Sequence, residues 1–149
     1  QFIRISGDSP FIDPQLIDDM VSLHSEASAD VTTNLHPRSF PAGVSVEVVE
    51  TTAMRRLTAS ITADDEREHV TLHFYRHPDH YRIVNHTVPG GRHNDVTLVV
   101  DTEQDLERAI WITNKLGPRP ESAPLEKVVE LARQWSCRIP KSSKIGKAR

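Results

Sequence analysis

Strand-like stretches alternate with helical stretches along the chain, and this order restricts the fold more than any other feature. Strand patterns occur at Phe2 to Ser6, Val44 to Val49 and Asp95 to Val100. A helix is predicted from Pro14 to Ala27, because Asp13 is a typical N-cap and proline fits the first helical turn. Such alternation is typical of an α/β domain, whose ligands bind beyond the carboxyl ends of the strands.

Periodicity and helix-capping residues predict the remaining elements. In the Asp64 to Arg76 segment the pattern fits a helix, but apolar residues also alternate there as in a strand. Thr102 with Asp105 three residues later approximates a capping box, and the helix that follows is predicted to carry Leu106, Ile110 and Thr113 on its inner face. The other predicted elements are a helix capped by Thr51 and Thr52, a strand from Tyr81 to Val84, and a last helix from Leu125 to about Trp135.

Composition indicates one domain with its own core, since 37% of the 149 residues are hydrophobic and 26% are charged. A net charge of -3 gives no general attraction to nucleic acid or anionic lipid, so neither is an expected partner. The lone Cys137 cannot form an intramolecular disulfide, and no apolar run is long enough to span a bilayer. A cytoplasmic location is therefore expected.

The chain divides into three predicted parts. Residues 1–117 form the main domain, and residues 118–137 form a linker and a terminal helix. Residues 138–149 form a tail with five basic residues and no acidic one. Such a tail is more often solvated than a specific nucleic-acid site.

Two aspartates occupy positions suited to metal chemistry. Asp8 follows the first predicted strand, and Asp101 ends the buried strand that precedes a helix. If both lie at one edge of a sheet, their carboxylates form a hard oxygen site for Mg²⁺, which commonly uses one or two carboxylates plus substrate phosphates. Each aspartate alone is weak support, because Gly-Asp turns and helix N-caps are common.

Other site chemistries have little support in the sequence. His69 and His73 have half of a zinc-binding spacing, but a third ligand is not indicated, and surface histidines are the simpler interpretation. No Gly-x-Ser-x-Gly elbow, P-loop or Gly-x-Gly-x-x-Gly motif occurs. Covalent catalysis and binding of nucleotide by these motifs are therefore not predicted.

Four segments together resemble the cytidylyltransferase family, and within it the branch of the spore-coat polysaccharide biosynthesis protein F type. That branch is related to the enzymes that activate acylneuraminate and ketodeoxyoctonate. The order and spacing of the segments make the resemblance far more specific than any single motif. The segments are Arg4-Ile5-Ser6-Gly7-Asp8-Ser9-Pro10 with Ile12-Asp13-Pro14, Phe40 to Val48, Glu66 to Thr71, and Val100 to Leu106.

The resemblance implies a three-layer nucleotide-diphosphosugar-transferase fold of the Rossmann-like, glycosyltransferase-A type. It implies metal-dependent transfer of CMP from CTP to a sugar or sugar acid, giving a CMP-sugar for surface polysaccharide. Asp8 and Asp101 correspond to the positions at which relatives hold Mg²⁺. Glu47, Arg67 and His69 fall in segments near the acceptor sugar.

The sequence also departs from the family pattern. Ala42 and Ser45 stand where this branch commonly has acidic residues, and a triphosphate-binding Ala-Arg-x-x-Ser-x-Arg-Leu-Pro-x-Lys loop is not found. Arg4 and Arg92 are poor substitutes for that loop. The expectation is that the amino-terminal part of the domain is missing, which would leave this chain inactive and Phe2 to Ser6 an exposed sheet edge.

Partner and function hypotheses follow from these observations. Pro37 to Val49 and Asp64 to Arg76 are expected to form a lobe for the acceptor sugar and for a homodimer, partly because Phe40, Val44, Phe74 and Tyr75 lie outside the obvious sheet core. Two alternatives stay open. One is a glycosyltransferase that uses a nucleotide sugar, and the other is a non-catalytic remnant or dimerisation module.

Overall fold

The computed structural model describes residues 1–58, 61, 71–88 and 93–138, and it confirms the α/β class. Two 3₁₀ helices, Pro78–His80 and Pro120–Ser122, join longer elements. Among the described helices, none has the length and apolarity needed to cross a membrane. The strands are β1 (Phe2–Ile5), β2 (Val31–Thr33), β3 (Val46–Val49) and β4 (Ile83–Asn85), and the helices are α1 (Pro14–Ala27), α2 (Thr51–Thr58), α3 (Leu72–Arg76), α4 (Glu103–Leu116) and α5 (Leu125–Arg138).

The four strands form one mixed sheet in the order β1-β3-β2-β4. Strand β3 is antiparallel to both of its neighbours, and β2 is parallel to β4. In this register Glu47 lies opposite Arg4 on one side and opposite Thr33 on the other. Three polar side chains from three strands are thereby placed in one row across the sheet.

Strand β3 is buried on both faces, which explains its nearly continuous valines. Val46 and Val48 pack in a core cluster with residues of α1, α4 and α5. Val49 belongs to a second cluster with residues of β2, α2 and α3. Because side chains alternate along a strand, Glu47 shares the face of Val49.

The predicted strand from Asp95 to Val100 is wrong. Only Thr97 forms a bridge there, in parallel with Ala42. The next residue along that partner segment, Gly43, has φ of 90° and turns its chain away, so the pairing does not continue into a ladder. The segment is extended but is held at single points.

Helix α4 also turns a different face to the core from the predicted one. Leu106 and Ile110, which were expected to point inward with Thr113, are 50% and 53% exposed. The Arg108 guanidinium donates to the carbonyl oxygen of Val99 at 2.6 Å and thereby sets the rotation of the helix. The buried residues of α4 are Arg108, Ala109 and Ile112.

The prediction of α1 is confirmed, whereas α2 begins at Thr51, so the threonines expected to cap it lie in its first turn. Helix α1 begins at Pro14, and the Asp13 carboxylate accepts from the backbone N–H of Gln15 at 2.9 Å. Leu72–Arg76 is helical, so the helix is the correct one of the two alternatives for that stretch. Residues 62–70 of the predicted helix and residues 139–149 of the basic tail lie outside the described residues.

Replacement of Gly43 by alanine tests the close contact between the two extended segments. A Cβ at this position would lie 2.6 Å from backbone atoms of Leu98 and Val99, and the positive φ adds strain. We expect the G43A substitution to lower the free energy of unfolding by about 3 kcal/mol in urea titrations. Gly7→Ala is the matched control, because a Cβ there meets no atom within 4 Å. Equal stability of the two variants would contradict this account.

Candidate functional site

A cleft lies beside the end of β1, between this strand and the Leu35 to Ser45 segment, and we refer to it as the β1 cleft. Its charged lining residues are Arg4, Asp8, Arg38 and Glu47. It is therefore polar on the side of the sheet edge. Gly43 contributes to the cleft through its backbone, at the crossing with Leu98.

A backbone hydrogen bond joins the segments that carry Asp8 and Asp101. The Val100 N–H donates to the Asp8 carbonyl oxygen at 2.9 Å, and Asp101 is the next residue along the chain. Asp8 is half-buried in the turn after β1, and its Oδ1 accepts from the Ser9 hydroxyl at 3.0 Å. Asp101 is exposed at the start of α4. The two aspartates thus reach neighbouring positions by a turn and an extended segment instead of by two strand ends.

The donor chemistry of this pair fits Mg²⁺. Carboxylate oxygens are hard ligands, and Mg²⁺ usually keeps waters or substrate phosphates in its remaining positions. Within the described parts of the chain, no group of three or more metal-binding side chains occurs. An all-protein metal cage is therefore not built from those residues, and a site shared with substrate is the arrangement that two carboxylates favour.

Asp105 lies close by but is committed to the helix cap. Its carboxylate accepts from the Thr102 hydroxyl at 2.7 Å and from the Thr102 N–H at 3.0 Å, which completes a capping box. The Thr102 hydroxyl bond, aided by the positive charge of Arg108, lowers the pKa of Asp105. The same carboxylate accepts from the Asp101 N–H at 3.4 Å and so fixes the backbone that carries Asp101.

Glu47 is the centre of a buried polar network. Only 1% of its side chain is exposed, and Arg4 forms an ion pair with its Oε2. The Thr71 hydroxyl donates to Oε2 at 3.3 Å, and the Tyr75 hydroxyl donates to Oε1. Both carboxylate oxygens are therefore engaged by protein groups, as a buried charge requires. The geometry suits a residue that orients Arg4 at the cleft.

Tyr75 is held in its donor form. Burial, reinforced by the negative charge of Glu47, raises the pKa of the Tyr75 phenol well above its usual range. Its oxygen also lies 3.0 Å from that of the Thr33 hydroxyl, and the His36 ring packs on its ring at a centroid distance of 4.4 Å. Tyr75 thus connects α3 to β2 and β3 under the cleft.

Arg38, Thr71 and Tyr75 lie in the two segments expected to form the acceptor-sugar lobe, but the sequence assigned none of them an individual role at the site. One terminal nitrogen of Arg38 donates to the Pro41 carbonyl at 3.3 Å and to the Ser45 hydroxyl at 3.2 Å. The position of Arg38 between two prolines is a signal of a rigid loop that holds a charged side chain. For Thr71 and Tyr75 no local signal exists, because their partner is 24 and 28 residues away.

Two predicted site residues, Arg67 and His69, lie outside the described residues. His73, the other half of the proposed zinc spacing, packs its ring against His77 at a centroid distance of 4.4 Å. That contact adds no support for a zinc site.

The apolar residues expected to form a dimer surface are inside the chain. Phe40, Val44 and Phe74 are buried in the core clusters. Tyr75 is engaged by Glu47. These side chains therefore give no support for a homodimer contact, and the homodimer stays a prediction.

Comparisons with known proteins agree on one family. The sequence profile described as cytidylyltransferase matches residues 1–134. The chain is 33% identical over 133 residues to the spore coat polysaccharide biosynthesis protein SpsF of Bacillus subtilis (strain 168), an alignment covering 88% of this chain and 54% of that protein. The chain thus spans about half the length of this curated relative.

A solved structure shows the same fold. A cytidylyltransferase from Leptospira borgpetersenii serovar Hardjo-bovis (strain JB197) superimposes with a TM-score of 0.80 at 20% sequence identity. The superposition covers 97% of this chain and 60% of that one. The likeness extends over nearly all of the present chain.

Removal of the Tyr75 hydroxyl tests the buried network. Tyr75→Phe leaves one oxygen of a buried carboxylate without its donor, and we expect the free energy of unfolding to fall by about 2 kcal/mol. Tyr81→Phe is the control, since Tyr81 contributes its ring to an edge contact with Phe74 at 4.6 Å. Tyr81→Phe should change the free energy of unfolding by no more than about 0.5 kcal/mol. Chemical denaturation of both variants measures the difference, and an unchanged Tyr75→Phe variant would show that Glu47 does not depend on this bond.

Proposed function

Because this chain belongs to the cytidylyltransferase family, we propose that it forms part of an enzyme that transfers CMP from CTP to a sugar or sugar acid. The observation that supports the proposal is the hydrogen bond from the Val100 N–H to the carbonyl oxygen of Asp8, a residue of the β1 cleft, because Asp101 is the next residue after Val100. Membership of the family indicates CTP as the nucleotide, and the two aspartates would be ligands of the metal.

Asp8 and Asp101 would hold Mg²⁺ in this proposal. The ion would neutralise charge on the triphosphate and on the pyrophosphate that leaves. The positions of Asp8 and Asp101 determine where the ion would bind. The turn after β1 presents Asp8, and the capping box of α4 fixes the backbone at Asp101.

The acceptor side is proposed to involve Glu47, Arg67 and His69. Glu47 would act through Arg4, because both of its oxygens are occupied inside the protein. A CMP-sugar for surface polysaccharide is the proposed product, which agrees with the role in spore coat polysaccharide biosynthesis named for the Bacillus relative. A cytoplasmic location and a homodimer belong to the same proposal.

The complete domain is proposed to have the three-layer nucleotide-diphosphosugar-transferase architecture. The apolar clusters of β3 support this, since Val46 and Val48 pack with helices on one face and Val49 packs with other helices on the opposite face. Helices on both faces of a sheet are the arrangement from which three-layer α/β domains are built.

Binding of CTP with and without Mg²⁺ tests the metal site without requiring turnover. We expect Mg²⁺ to strengthen CTP binding to the 149-residue chain in calorimetric titrations. Asp8→Asn and Asp101→Asn should each reduce the affinity for Mg²⁺ in the presence of CTP by about tenfold or more, since each removes a charged ligand.

Asp18→Asn is the matched control, because Asp18 is exposed on α1 and outside the β1 cleft. Equal affinities in all three variants would refute the metal site. Release of pyrophosphate upon addition of an acceptor sugar would separate nucleotidyl transfer from glycosyl transfer, which releases none.

A further inference from the structure

We propose that Arg38, together with Arg4, forms an anion-binding subsite in the β1 cleft. Its ligand is a substrate group with two terminal anionic oxygens, a carboxylate or a phosphate. The inference rests on the proposed function and deepens it, because it states what chemical group the substrate presents to this side of the cleft. Neither arginine is needed for the metal site formed by Asp8 and Asp101.

Arg38 is positioned by neutral groups. It is half-buried, and one of its terminal nitrogens donates to the Pro41 carbonyl and to the Ser45 hydroxyl. A guanidinium has five N–H donors, so these two contacts leave its other nitrogens able to donate. The side chain is held in place by a rigid loop without its charge being matched.

Carboxylates of the protein do not neutralise Arg38. In the described parts of the chain, no carboxylate lies within salt-bridge distance of its guanidinium, although Asp8 lines the same cleft. A positive charge that is half removed from water and lacks a partner is attracted to an anion that enters the cleft. A neutral ligand would not supply that partner.

Arg4 provides a second guanidinium, which is oriented by its buried partner Glu47. Its partner, Glu47, is buried in the network with Thr71 and Tyr75, while the Arg4 side chain is 46% exposed and lines the cleft. The ion pair fixes one end of the planar group and leaves further N–H donors facing away from the carboxylate. Two such groups at one cleft suit an anion with paired oxygens, because arginine binds carboxylate and phosphate in a bidentate manner.

Substitutions at Ser45 test Arg38 without removing it. Ser45→Asp places a carboxylate beside the nitrogen that now donates to the serine hydroxyl, so an internal anion would compete with the ligand. Ser45→Asn is the matched neutral control. Arg38→Gln removes the charge itself, and Arg119→Gln removes an exposed arginine outside the cleft.

Calorimetric titration in the absence of metal measures the affinities. The probes are N-acetylneuraminate as a sugar carboxylate, CTP as a phosphate, and N-acetylmannosamine as an uncharged sugar. We expect Arg38→Gln and Ser45→Asp to weaken binding of an anionic probe by about 10-fold to 100-fold, as for a hydrogen bond to a charged group. Arg119→Gln should bind it as the wild-type chain does, and Ser45→Asn should bind it more tightly than Ser45→Asp. The affected probe identifies the source of the anion, the acceptor sugar or the nucleotide.

Two results would overturn the subsite. One is that neither anion binds more tightly than the uncharged sugar, and the other is that Ser45→Asp and Ser45→Asn bind the anions equally. The Ser45 pair decides the question even if Arg38→Gln fails to fold. Because these titrations contain no metal, their outcome is independent of the Mg²⁺-dependent CTP binding that tests the proposed function.

Discussion

The buried carboxylate of Glu47 is the interaction on which the site side of the sheet depends. It lies on the central strand and is satisfied by Arg4 from β1, Thr71 from the residue before α3 and Tyr75 from α3 itself. Removal of a charge from water is costly, so the chain must supply all of these partners at once. These contacts to the Glu47 carboxylate connect the edge strand β1, strand β3 and helix α3. A structural requirement of the fold therefore also gives Arg4 its orientation at the cleft.

The segments that carry the two proposed metal ligands are placed mainly by backbone contacts. The extended segment before α4 is held by a bridge to Ala42, by the hydrogen bond from Val100 to Asp8 and by the Arg108 guanidinium, which donates to the Val99 carbonyl oxygen. Gly43 permits the close crossing because a side chain at that point would collide with the backbone of Leu98. The capping box then starts α4 immediately after Asp101. A glycine, main-chain hydrogen bonds, the Arg108 side chain and a helix cap thus together hold the segments that carry the two aspartates.

Local signals in the sequence predicted local structure well. Helix α1 was predicted with its observed bounds, and the cap at Thr102 was predicted with its partner Asp105. Those features depend on residues three or four positions apart, so sequence patterns contain them. The family resemblance added the chemistry, which periodicity alone could not give.

Features that depend on distant residues were predicted less well. The strand expected before Asp101 lacked a partner ladder, and that depends on where Gly43 directs another segment. The inner face of α4 was set by the bond from Arg108 to Val99, although Leu106 and Ile110 are the more hydrophobic residues. Tyr75 and Thr71 could not be assigned to the site, since nothing near them in sequence reveals a partner on β3.

The hydrogen bond between Val100 and Asp8 affects which substitutions the protein can accept during evolution. Both of its atoms belong to the main chain, so substitution of the Val100 side chain leaves the bond itself in place. Side chains from Asp95 to Val100 can therefore be substituted where burial permits. The distance between the backbone positions of the two aspartates does not depend on those side chains. Apart from Asp8 and Gly43, the residues that line the cleft can therefore vary without removing this main-chain bond.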